Sequence, residues 1–253
     1  MHPIIVKIGS IYIYSYGLMV AVGFAVATLL AYRHADDFGI SRDKVIDLGI
    51  VMLIGGIVGA RIVYIALNFQ YYMENPLEII NLTRGGLVWY GALISGMIIA
   101  AWFLKKNKIS FWAAADLFAP YIALAQAFGR IGCFLNGCCY GSVAPAGFML
   151  NVIFPGESVC RYPTQIFSVI GLLLIFVILR IWQKRRHFGG EIFLGYGLLY
   201  SIKRFGVEFF RGDYPKILYG LTISQLISVA IFVVCSSLFI YRRLKWKNSL
   251  KSL

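Results

Sequence analysis

Apolar residues occur along this chain in long blocks that contain no Asp, Glu, Lys or Arg. A bilayer core of about 30 Å is crossed by about 20 helical residues, so a block of this length predicts a membrane-spanning helix. Four blocks meet this requirement, at residues 8–32, 85–104, 162–179 and 217–241.

Three further blocks meet it once a few interior charges are allowed, at residues 48–67, 111–129 and 192–210. Their interior charges are, in chain order, Arg61, Asp116, Lys203, Arg204 and Glu208. The hydrophobic pattern therefore predicts an all-α polytopic membrane protein of about seven transmembrane helices. No composition break divides the chain, so we expect a single transmembrane domain over residues 1–253.

Basic residues are distributed unevenly between the two sides that these helices define. Fifteen Lys and Arg residues lie on the side that includes the segment after the seventh helix. The opposite side has eight: Lys7, Arg84, Arg130, Arg161, Lys203, Arg204, Arg211 and Lys216. Because cytoplasmic segments carry the excess of Lys and Arg, we expect the N-terminus outside and the C-terminus in the cytoplasm. The segment of about 131–161 then becomes a small external loop between the fourth and fifth helices.

The composition changes how the net charge is interpreted. The 253 residues are 60% hydrophobic and only 14% charged, whereas about 25% of residues are charged in soluble domains. A formal net charge of +13 would suggest nucleic acid as the partner of a soluble protein. Here the excess lies in short segments between apolar blocks, where it fits anionic lipid head groups. We therefore predict membrane lipid as a partner and no nucleic acid.

Charges inside the predicted helices cost about 2.5 to 3.5 kcal/mol at the bilayer centre, so they mark an ion pair, a pathway or a site. Arg61 could pair with Asp116. Three glycines precede Arg61 and would let a neighbouring helix approach closely: Gly55, Gly56 and Gly59. Arg204, Glu208 and Arg211 share one helical face. For both groups, an ion-pair network that only stabilises the bundle remains an alternative to a functional site.

Arg130 lies in the run GRIGCFLNGCCYG, residues 129–141, where the fourth helix reaches the outer surface. Four glycines in this run would let backbone N–H groups approach a ligand, and the guanidinium supplies a bidentate fork for phosphate. Asn136 adds a neutral donor and acceptor. The run predicts an anion-binding site, with a set of simple tight turns as the alternative.

This run resembles the signature loop of the bacterial prolipoprotein diacylglyceryl transferases, in which the pattern Gly-Arg-x-Gly-Asn-Phe-x-Asn-Gly is usual. Further segments resemble motifs of the same family, in order along nearly the whole chain. They are YGLM at 16–19, GAR at 59–61, GGLVWYG at 85–91, RYPTQ at 161–165, and GYG at 195–197 followed by Arg204 and VEFFR at 207–211. Seven helices with an external N-terminus is also the topology of this family.

The resemblance implies a multi-pass enzyme of the bacterial cytoplasmic (inner) membrane that needs neither a cofactor nor a metal. Such enzymes move the diacylglyceryl group of phosphatidylglycerol onto the lipobox cysteine that follows the signal peptide of a preprolipoprotein. A thioether forms and glycerol phosphate leaves. Arg130 and Arg204 would stabilise the leaving phosphate, and Glu208 would orient an arginine. Substrate-binding residues would be Tyr16, Arg61, Gly132, Asn136, Gly141, Gln165, Tyr196 and, at the periphery, Arg211.

The chain departs from the family pattern at a position that bears on proton transfer. The third-helix position that often carries His is Tyr90, and His2, His34 and His187 fall in other segments. A phenol with a pKa near 10 cannot easily deprotonate a thiol near 8.5 unless nearby cations lower both values. We therefore predict that the arginines lower the pKa of the substrate thiol. Tyr90 would then be a hydrogen-bonding or positioning group in the catalytic site, or else a packed aromatic residue.

Cysteines occupy further variant positions. Cys133 replaces the usual signature Asn, and Cys138, followed by Cys139, replaces a Glu. A disulfide from Cys133 to Cys138 or Cys139, or one to Cys160, could fix the external loop, and the spacing does not choose among them. Free buried thiols are equally open, and Cys235 in the last helix is expected to pack only. Zinc is disfavoured because the chain has no C-x-x-C pair and no nearby histidine, and a covalent role for Cys133 is disfavoured too.

Two other classes of protein remain as alternatives to the enzyme. One is a lipid- or lipoprotein-binding relative that kept the fold but lost the chemistry with the histidine. The other is a transporter of anionic solutes, whose arginines would line a pathway. No inverted repeat supports the transporter. The retained set Arg130, Asn136, Arg204 and Glu208 favours the enzyme.

Overall fold

The structure is a computed structural model that describes residues 1–8, 11–81, 85–145, 147–212, 215–218 and 220–251. Arg84, which contributes to the count of basic residues above, lies outside these ranges. Helices dominate, and three two-stranded antiparallel sheets accompany them. In chain order the elements are β1 (Ile4–Ile8), β2 (Ile11–Tyr14), α1 (Ser15–Arg33), α2 (Arg42–Leu67), α3 (Phe69–Glu74), α4 (Trp89–Lys106), α5 (Phe111–Asn136), β3 (Val152–Ile153), β4 (Cys160–Arg161), α6 (Thr164–Gln183), α7 (Glu191–Glu208), β5 (Lys216–Leu218), β6 (Leu221–Thr222) and α8 (Ile223–Lys251), with short 3₁₀ turns at Asp36–Phe38 and Pro76–Ile79.

Five of these helices are long and apolar enough to cross a membrane, within the part of the chain that the structure describes: α1, α2, α5, α6 and α8. The two remaining predicted spans correspond to α4 and α7. Lys105 and Lys106 end α4, and charged residues at both ends of α7 reduce its apolar character. The chain is therefore a mostly helical membrane protein, as the hydrophobic pattern predicts.

α1 and α8 begin furthest beyond the start of the apolar blocks that predict them. Residues 11–14 pair with β1 as a hairpin, so α1 begins at Ser15. β5 and β6 likewise form a hairpin before α8 begins at Ile223. Hydropathy alone does not separate an apolar strand from an apolar helical turn. The alternating Ile and Tyr of β2 favour the strand, because β-branched and aromatic residues pack well on a pleated surface.

The chain forms two compact units, Met1–Ala31 with Ala115–Leu253 and, separately, Tyr32–Ala114. Small residues spaced four apart on α5 form part of the core of the first unit, which lets neighbouring helices pack closely. That core consists of Ala119, Ala123 and Ala127 of α5, Leu172, Ile175 and Leu179 of α6, and Ile192 of α7.

In the second unit, α2 packs directly against α4. A Cβ at Gly55 would overlap Ile99, and a Cβ at Gly59 would overlap Ser95. Glycine at these two positions therefore permits the close helix approach that the sequence predicts. Gly56 contributes less, because its nearest neighbour is a backbone oxygen at 3.9 Å.

Asp116 is buried in α5, where it binds the beginning of α7. Its carboxylate accepts backbone N–H groups of Gly190 at 2.6 Å, Ile192 at 3.0 Å and Phe193 at 2.9 Å. These are N–H groups that a helix N-terminus leaves without internal partners, and the helix dipole favours negative charge there. Asp116 is thus a capping residue, and the predicted alternative of a pair with Arg61 does not describe its contacts.

Side-chain contacts hold together the segment between α5 and α6. Glu157 accepts a hydrogen bond from the hydroxyl of Tyr140 at 2.7 Å and pairs with Arg161 at 2.9 Å. The Tyr140 bond, together with Arg161, keeps the pKa of Glu157 below its usual value. Phe154 is fully buried beneath the Tyr140 ring. The segment is therefore a compact cap, as predicted.

Candidate functional site

The signature run begins as helix rather than as loop. α5 continues to Asn136, beyond the predicted end at Gly129, because an isolated glycine costs a helix only about 1 kcal/mol. Gly129 and Gly132 are therefore helical, and the prediction that their N–H groups cradle a ligand is wrong. Gly132 instead permits close approach of α1, since a Cβ there would lie 3.0 Å from Met19 and 3.1 Å from Tyr16.

After α5 the chain reverses through two residues with left-handed backbone conformation. Gly137 has a φ of 73° and Cys139 a φ of 66°. Glycine adopts this conformation readily, whereas for cysteine it costs about 1 to 2 kcal/mol. The N–H of Cys138 donates to the carbonyl of Cys133 at 3.1 Å. The turn therefore brings residues 138 and 139 back over the last turn of α5.

The first turn of α6 holds this reversal in place. Gln165 is buried and donates from Nε2 to the carbonyl of Cys138 at 2.7 Å. Thr164 donates from Oγ1 to the carbonyl of Cys139 at 3.0 Å. The RYPTQ motif thus meets the signature run directly. In this structure Gln165, predicted to bind substrate, positions the backbone of the cysteine turn.

Gly141 joins the same turn to the end of α7. Its N–H donates to the carbonyl of Tyr162 at 2.8 Å. A Cβ at this position would overlap the carbonyl oxygen of Phe210 and lie 2.8 Å from Thr164. The N–H of Ser142 donates to that same Phe210 oxygen at 2.9 Å. The requirement for glycine here is therefore close packing of three chain segments, a contact that no local sequence pattern reveals.

Three cysteine side chains converge at this turn. The Sγ atoms of Cys133, Cys138 and Cys139 all lie within 4.8 Å of one another, and those of Cys138 and Cys139 are 3.4 Å apart. Asn136 contributes a side-chain hydrogen bond to Cys138. All five cysteines are free thiols, so the structure matches the free-thiol alternative rather than any of the predicted bridges.

Hydrogen bonds and nearby cations divide the protons unequally among these thiols. A hydrogen bond from Cys133, aided by one from Cys138 and by the charges of Arg130 and Arg211, holds the pKa of Cys139 well below its usual value. Burial, which disfavours the thiolate, raises the pKa of Cys138. Cys139 is therefore the sulfur that carries negative charge most readily.

Arg130 lies near the end of α5. Within the part of the chain that the structure describes, its guanidinium takes part in no hydrogen bond or ion pair. Its charge acts on Cys139 and, together with Arg204, on Lys203. Arg130 thus lies near the cysteine turn and also near the basic residues of α7. An arginine whose five donors lack partners inside the protein is suited to an anionic ligand.

Arg204 is fixed by its neighbours, in contrast to Arg130. Its Nη1 lies 2.6 Å from Oε2 of the buried Glu208, and its Nη2 donates to Ser224 at 2.8 Å. The other carboxylate oxygen of Glu208 accepts a hydrogen bond from Thr222 at 2.9 Å. Arg204 and Glu208 thus share a face of α7 as predicted, whereas Arg211 is not part of the helix. Arg211 follows just after α7, where its N–H donates to the carbonyl of Glu208 at 3.0 Å.

Gln126 of α5 and Lys203 of α7 make polar contacts that the hydrophobic pattern and the motifs did not predict. The hydroxyl of Tyr196 donates to Oε1 of Gln126 at 3.0 Å. The Nζ of Lys203 lies over the Tyr200 ring at 4.4 Å. Gln126 precedes Arg130 by one helical turn, a spacing that could have identified it. Lys203 was counted only as a charge, although it directly precedes Arg204.

Arg61 is saturated by backbone oxygens. Tyr64 and Tyr72 flank its guanidinium at 5.7 and 5.3 Å. Its side chain is buried and donates to five carbonyls, those of Glu78, Ile79, Asn81, Gly85 and Gly86. In this structure Arg61 therefore fastens the segment before α4, and its donors are already occupied.

Tyr90 lies in the first turn of α4. Its side chain is 68% exposed, and its ring meets Trp89 edge-on at 5.3 Å. Among the described residues its hydroxyl has no hydrogen-bond partner. The residue is thus an exposed aromatic at a helix end, without the neighbours that would activate it.

The long apolar helices define a polytopic membrane protein, and its arginines and thiols gather near the end of α5. The family model of the prolipoprotein diacylglyceryl transferases matches residues 3–241. The chain therefore belongs to the prolipoprotein diacylglyceryl transferase family, which confirms the resemblance seen in its motifs.

Individual relatives agree with the family model over nearly the full length. A phosphatidylglycerol–prolipoprotein diacylglyceryl transferase of Clostridium tetani is 36% identical over 244 residues, which cover 95% of this chain and 97% of that protein. Transferase 2 of Clostridium perfringens is 37% identical, covering 98% of this chain and 97% of its own. The transferase of Enterococcus faecalis is 34% identical, and the match covers 96% of this chain and 91% of that protein.

Proposed function

We propose that this chain transfers the diacylglyceryl group of phosphatidylglycerol to the lipobox cysteine of a preprolipoprotein, forming a thioether and releasing glycerol phosphate. One observation carries the proposal beyond family membership. Arg130 lies in an apolar helix, has no partner among the described residues, and stands beside further cations. A lipid phosphate would supply the missing anion.

Arg130 and Arg204 are the groups that would stabilise the leaving phosphate. As the C–O bond to the diacylglyceryl carbon breaks, negative charge grows on the phosphate oxygens. Fixed cations in a site of low dielectric stabilise this charge without having to reorganise. Glu208 keeps Arg204 in one orientation through the 2.6 Å pair, so Arg204 enters the reaction already positioned.

Other predicted site residues would act through shape and position. Gly132 and Gly141 permit the close packing that forms the site, and Gln165 fixes the cysteine turn. Arg211 would lie at the periphery, near Cys139. Tyr16, Asn136 and Tyr196 would contact substrate through their polar ends. Arg61 would act by holding the segment before α4.

Proton transfer would depend on cations rather than on Tyr90. The exposed hydroxyl of Tyr90 has no partner among the described residues that could turn it into a base. Arginines near the reacting sulfur stabilise the thiolate directly, because opposite charge within about 4 to 6 Å favours the ionised form. Tyr90 would then orient a substrate rather than accept its proton.

We place all seven long helices across the bacterial cytoplasmic membrane as one domain, with the N-terminus outside. Each of the seven long helices overlaps one of the seven predicted blocks, and the excess of Lys and Arg supports the orientation. The cap between α5 and α6 would face the exterior. The preprolipoprotein would approach laterally, since its signal peptide is itself an apolar helix.

Complementation of a bacterium depleted of its own diacylglyceryl transferase tests the activity. The chain is expected to restore growth and lipoprotein modification, whereas Arg130→Ala is expected to abolish rescue. Arg42→Ala is the matched control, because Arg42 is exposed and contacts Asp36 at 2.7 Å and the Tyr32 ring at 5.8 Å. A chain that inserts into the membrane and yet fails to modify lipoprotein would contradict the proposal and favour a lipid-binding relative.

A further inference from the structure

The side chains of Cys133, Cys138 and Cys139 converge, and the proposed function gives these three thiols no role. One sulfur comes from the last turn of α5 and two from the turn that follows it. Hydrogen bonds from Gln165 and Thr164 hold the backbone of that turn at 2.7 and 3.0 Å. The left-handed cysteine at 139 is maintained at a conformational cost. The three thiols are therefore positioned by the fold, without any disulfide.

The spacing of these sulfurs fits a shared metal ion. Zinc binds cysteine sulfur at about 2.3 Å, so three thiolates around one ion lie about 4 Å from one another. The three Sγ atoms here lie within 4.8 Å of one another, with no carboxylate or imidazole in the group among the described residues. An all-sulfur ligand set selects a soft or borderline ion such as Zn²⁺ over Mg²⁺ or Ca²⁺. A disulfide would use two of the thiols and leave the third unexplained.

Three protein ligands leave one coordination position open. Structural zinc sites are closed by four protein ligands, whereas catalytic sites have three and bind water or substrate at the fourth. Cys139 is exposed, so the group can be reached from outside the protein. Arg130 acts on Cys139, so the sulfur group lies near one of the two arginines proposed to bind the lipid phosphate.

An open coordination position on zinc could deprotonate the substrate thiol, which the reaction requires. Formation of a thioether requires the substrate sulfur as a thiolate. The family position that often carries histidine is Tyr90, which has no activating partner among the described residues. A thiol that coordinates zinc is deprotonated outright, so no protein base is then required.

We propose that Cys133, Cys138 and Cys139 bind a zinc ion whose fourth position receives the thiol of the prolipoprotein cysteine. This inference rests on the proposed transferase activity. It revises the expectation that the protein needs no metal, which the absence of a C-x-x-C pair had suggested. The sequence spacing conceals the site because Cys133 and Cys138 are joined by a helix end and a left-handed turn.

The step balances without a redox partner. The substrate thiol releases its proton to water when it binds the ion, and the resulting thiolate attacks the diacylglyceryl carbon. The C–S bond forms as the C–O bond to phosphate breaks, and glycerol phosphate leaves as the anion. Four thiolates on Zn²⁺ carry a net charge of −2, which keeps the sulfur nucleophilic. Arg130 and Arg211 offset this charge.

Metal analysis of the full-length protein purified in detergent is the first test. We expect about one zinc per chain, and its loss in Cys133→Ser, Cys138→Ser and Cys139→Ser. Cys235→Ser is the matched control, because Cys235 lies in α8 outside the group, and it should retain the zinc. In the three ligand variants the transfer rate should fall about 10²-fold or more, the contribution typical of a proton-handling group.

Cobalt replacement of the metal in the unmutated chain tests substrate coordination and does not depend on whether variants fold. Cobalt thiolate complexes absorb visible light, and the spectrum reports coordination. A lipobox peptide should shift the spectrum, whereas the same peptide with serine in place of cysteine should not. Removal of metal by a strong chelator should abolish transfer, and added Zn²⁺ should restore it.

The outcomes separate this inference from the activity itself. Transfer that proceeds at full rate in a zinc-free, chelator-treated protein would overturn the inference and leave the transferase intact. A disulfide among the three cysteines in the active enzyme, seen by non-reducing mass spectrometry, would also overturn it. Zinc retained in a protein without transferase activity would support the site and contradict the proposed function.

Discussion

Arg61 and Arg130 both lie within apolar helices, and hydropathy gives them the same status as costly buried charges. Their surroundings differ completely. Arg61 donates to five backbone carbonyls, whereas Arg130 has no partner in the described part of the chain. The first arginine is bound by the fold itself, and the second is the one that we propose binds an anion. An arginine inside an apolar helix is therefore classed as structural or functional by whether its donors have partners in the protein, and its depth in the helix does not decide this.

Arg204 is intermediate between these two cases. Glu208 and Ser224 fix two of its nitrogens, which leaves other donors of the guanidinium for a ligand. Such partial fixation is what a preorganised site requires, because a held cation loses less entropy on binding. The three arginines therefore form a series, and their substitutions should affect transfer and stability in different proportions.

Arg130→Ala should have the largest effect on transfer. We expect the turnover of phosphatidylglycerol and a lipobox peptide to fall about 10²- to 10³-fold, the loss typical of one removed group that stabilises developing charge. The melting temperature of the purified protein should change little, because the side chain bonds to no protein group among the described residues. Arg42→Ala serves as control for the loss of an arginine. A turnover within about threefold of the unmutated enzyme would contradict the functional role of Arg130 and remove its contrast with Arg61.

Glu208→Gln should have the next largest effect. The amide keeps the size of the side chain but removes the charge that pairs with Arg204, a difference of about 1.5 kcal/mol. Turnover should therefore fall about tenfold, with the KM for lipid rising as Arg204 becomes mobile. Steady-state kinetics measures both. An unchanged enzyme would show that Arg204 does not depend on this pair for its orientation.

Arg61→Met should invert the pattern seen with Arg130. Five carbonyls lose their donor, and each buried unsatisfied group costs about 1 to 3 kcal/mol where water cannot replace it. We therefore expect a clear drop in melting temperature, with turnover per folded molecule reduced only a few-fold. Lys106→Met, at the exposed end of α4, controls for the loss of a cation. A stable variant with abolished transfer would instead assign Arg61 to substrate binding.

Tyr90→Phe should have the smallest effect. The hydroxyl has no partner among the described residues, so its removal should leave turnover within about twofold of the unmutated enzyme. The variant keeps the ring and its contact with Trp89. The transfer rate of the variant measures whether the hydroxyl of Tyr90 is required. A loss of about tenfold or more, a typical size for a positioned hydrogen bond to a charged group, would make the hydroxyl essential.

Local pattern determined much of the architecture because a bilayer restricts the choices. Long apolar blocks must become helices, since lipid offers no partner for free backbone groups. The positions of Gly55 and Gly59 correctly predicted close helix packing, and the motifs around Arg130 and Arg204 indicated the family and its anion chemistry. The hairpins before α1 and α8 escaped prediction, because apolar strands and apolar helical turns have the same hydropathy.

The sequence by itself determined that this chain lies in a membrane, which family it belongs to, and which side chains carry charge there. Only the tertiary structure decided which donors were already occupied. It supplied Arg61 with five backbone carbonyls from the segment before α4 and left Arg130 unpaired among the described residues. It also brought together three cysteines whose positions in the sequence match no usual metal-binding motif. The physical reason is that a residue's type fixes its hydrogen-bonding capacity, whereas the fold fixes the partners that use it.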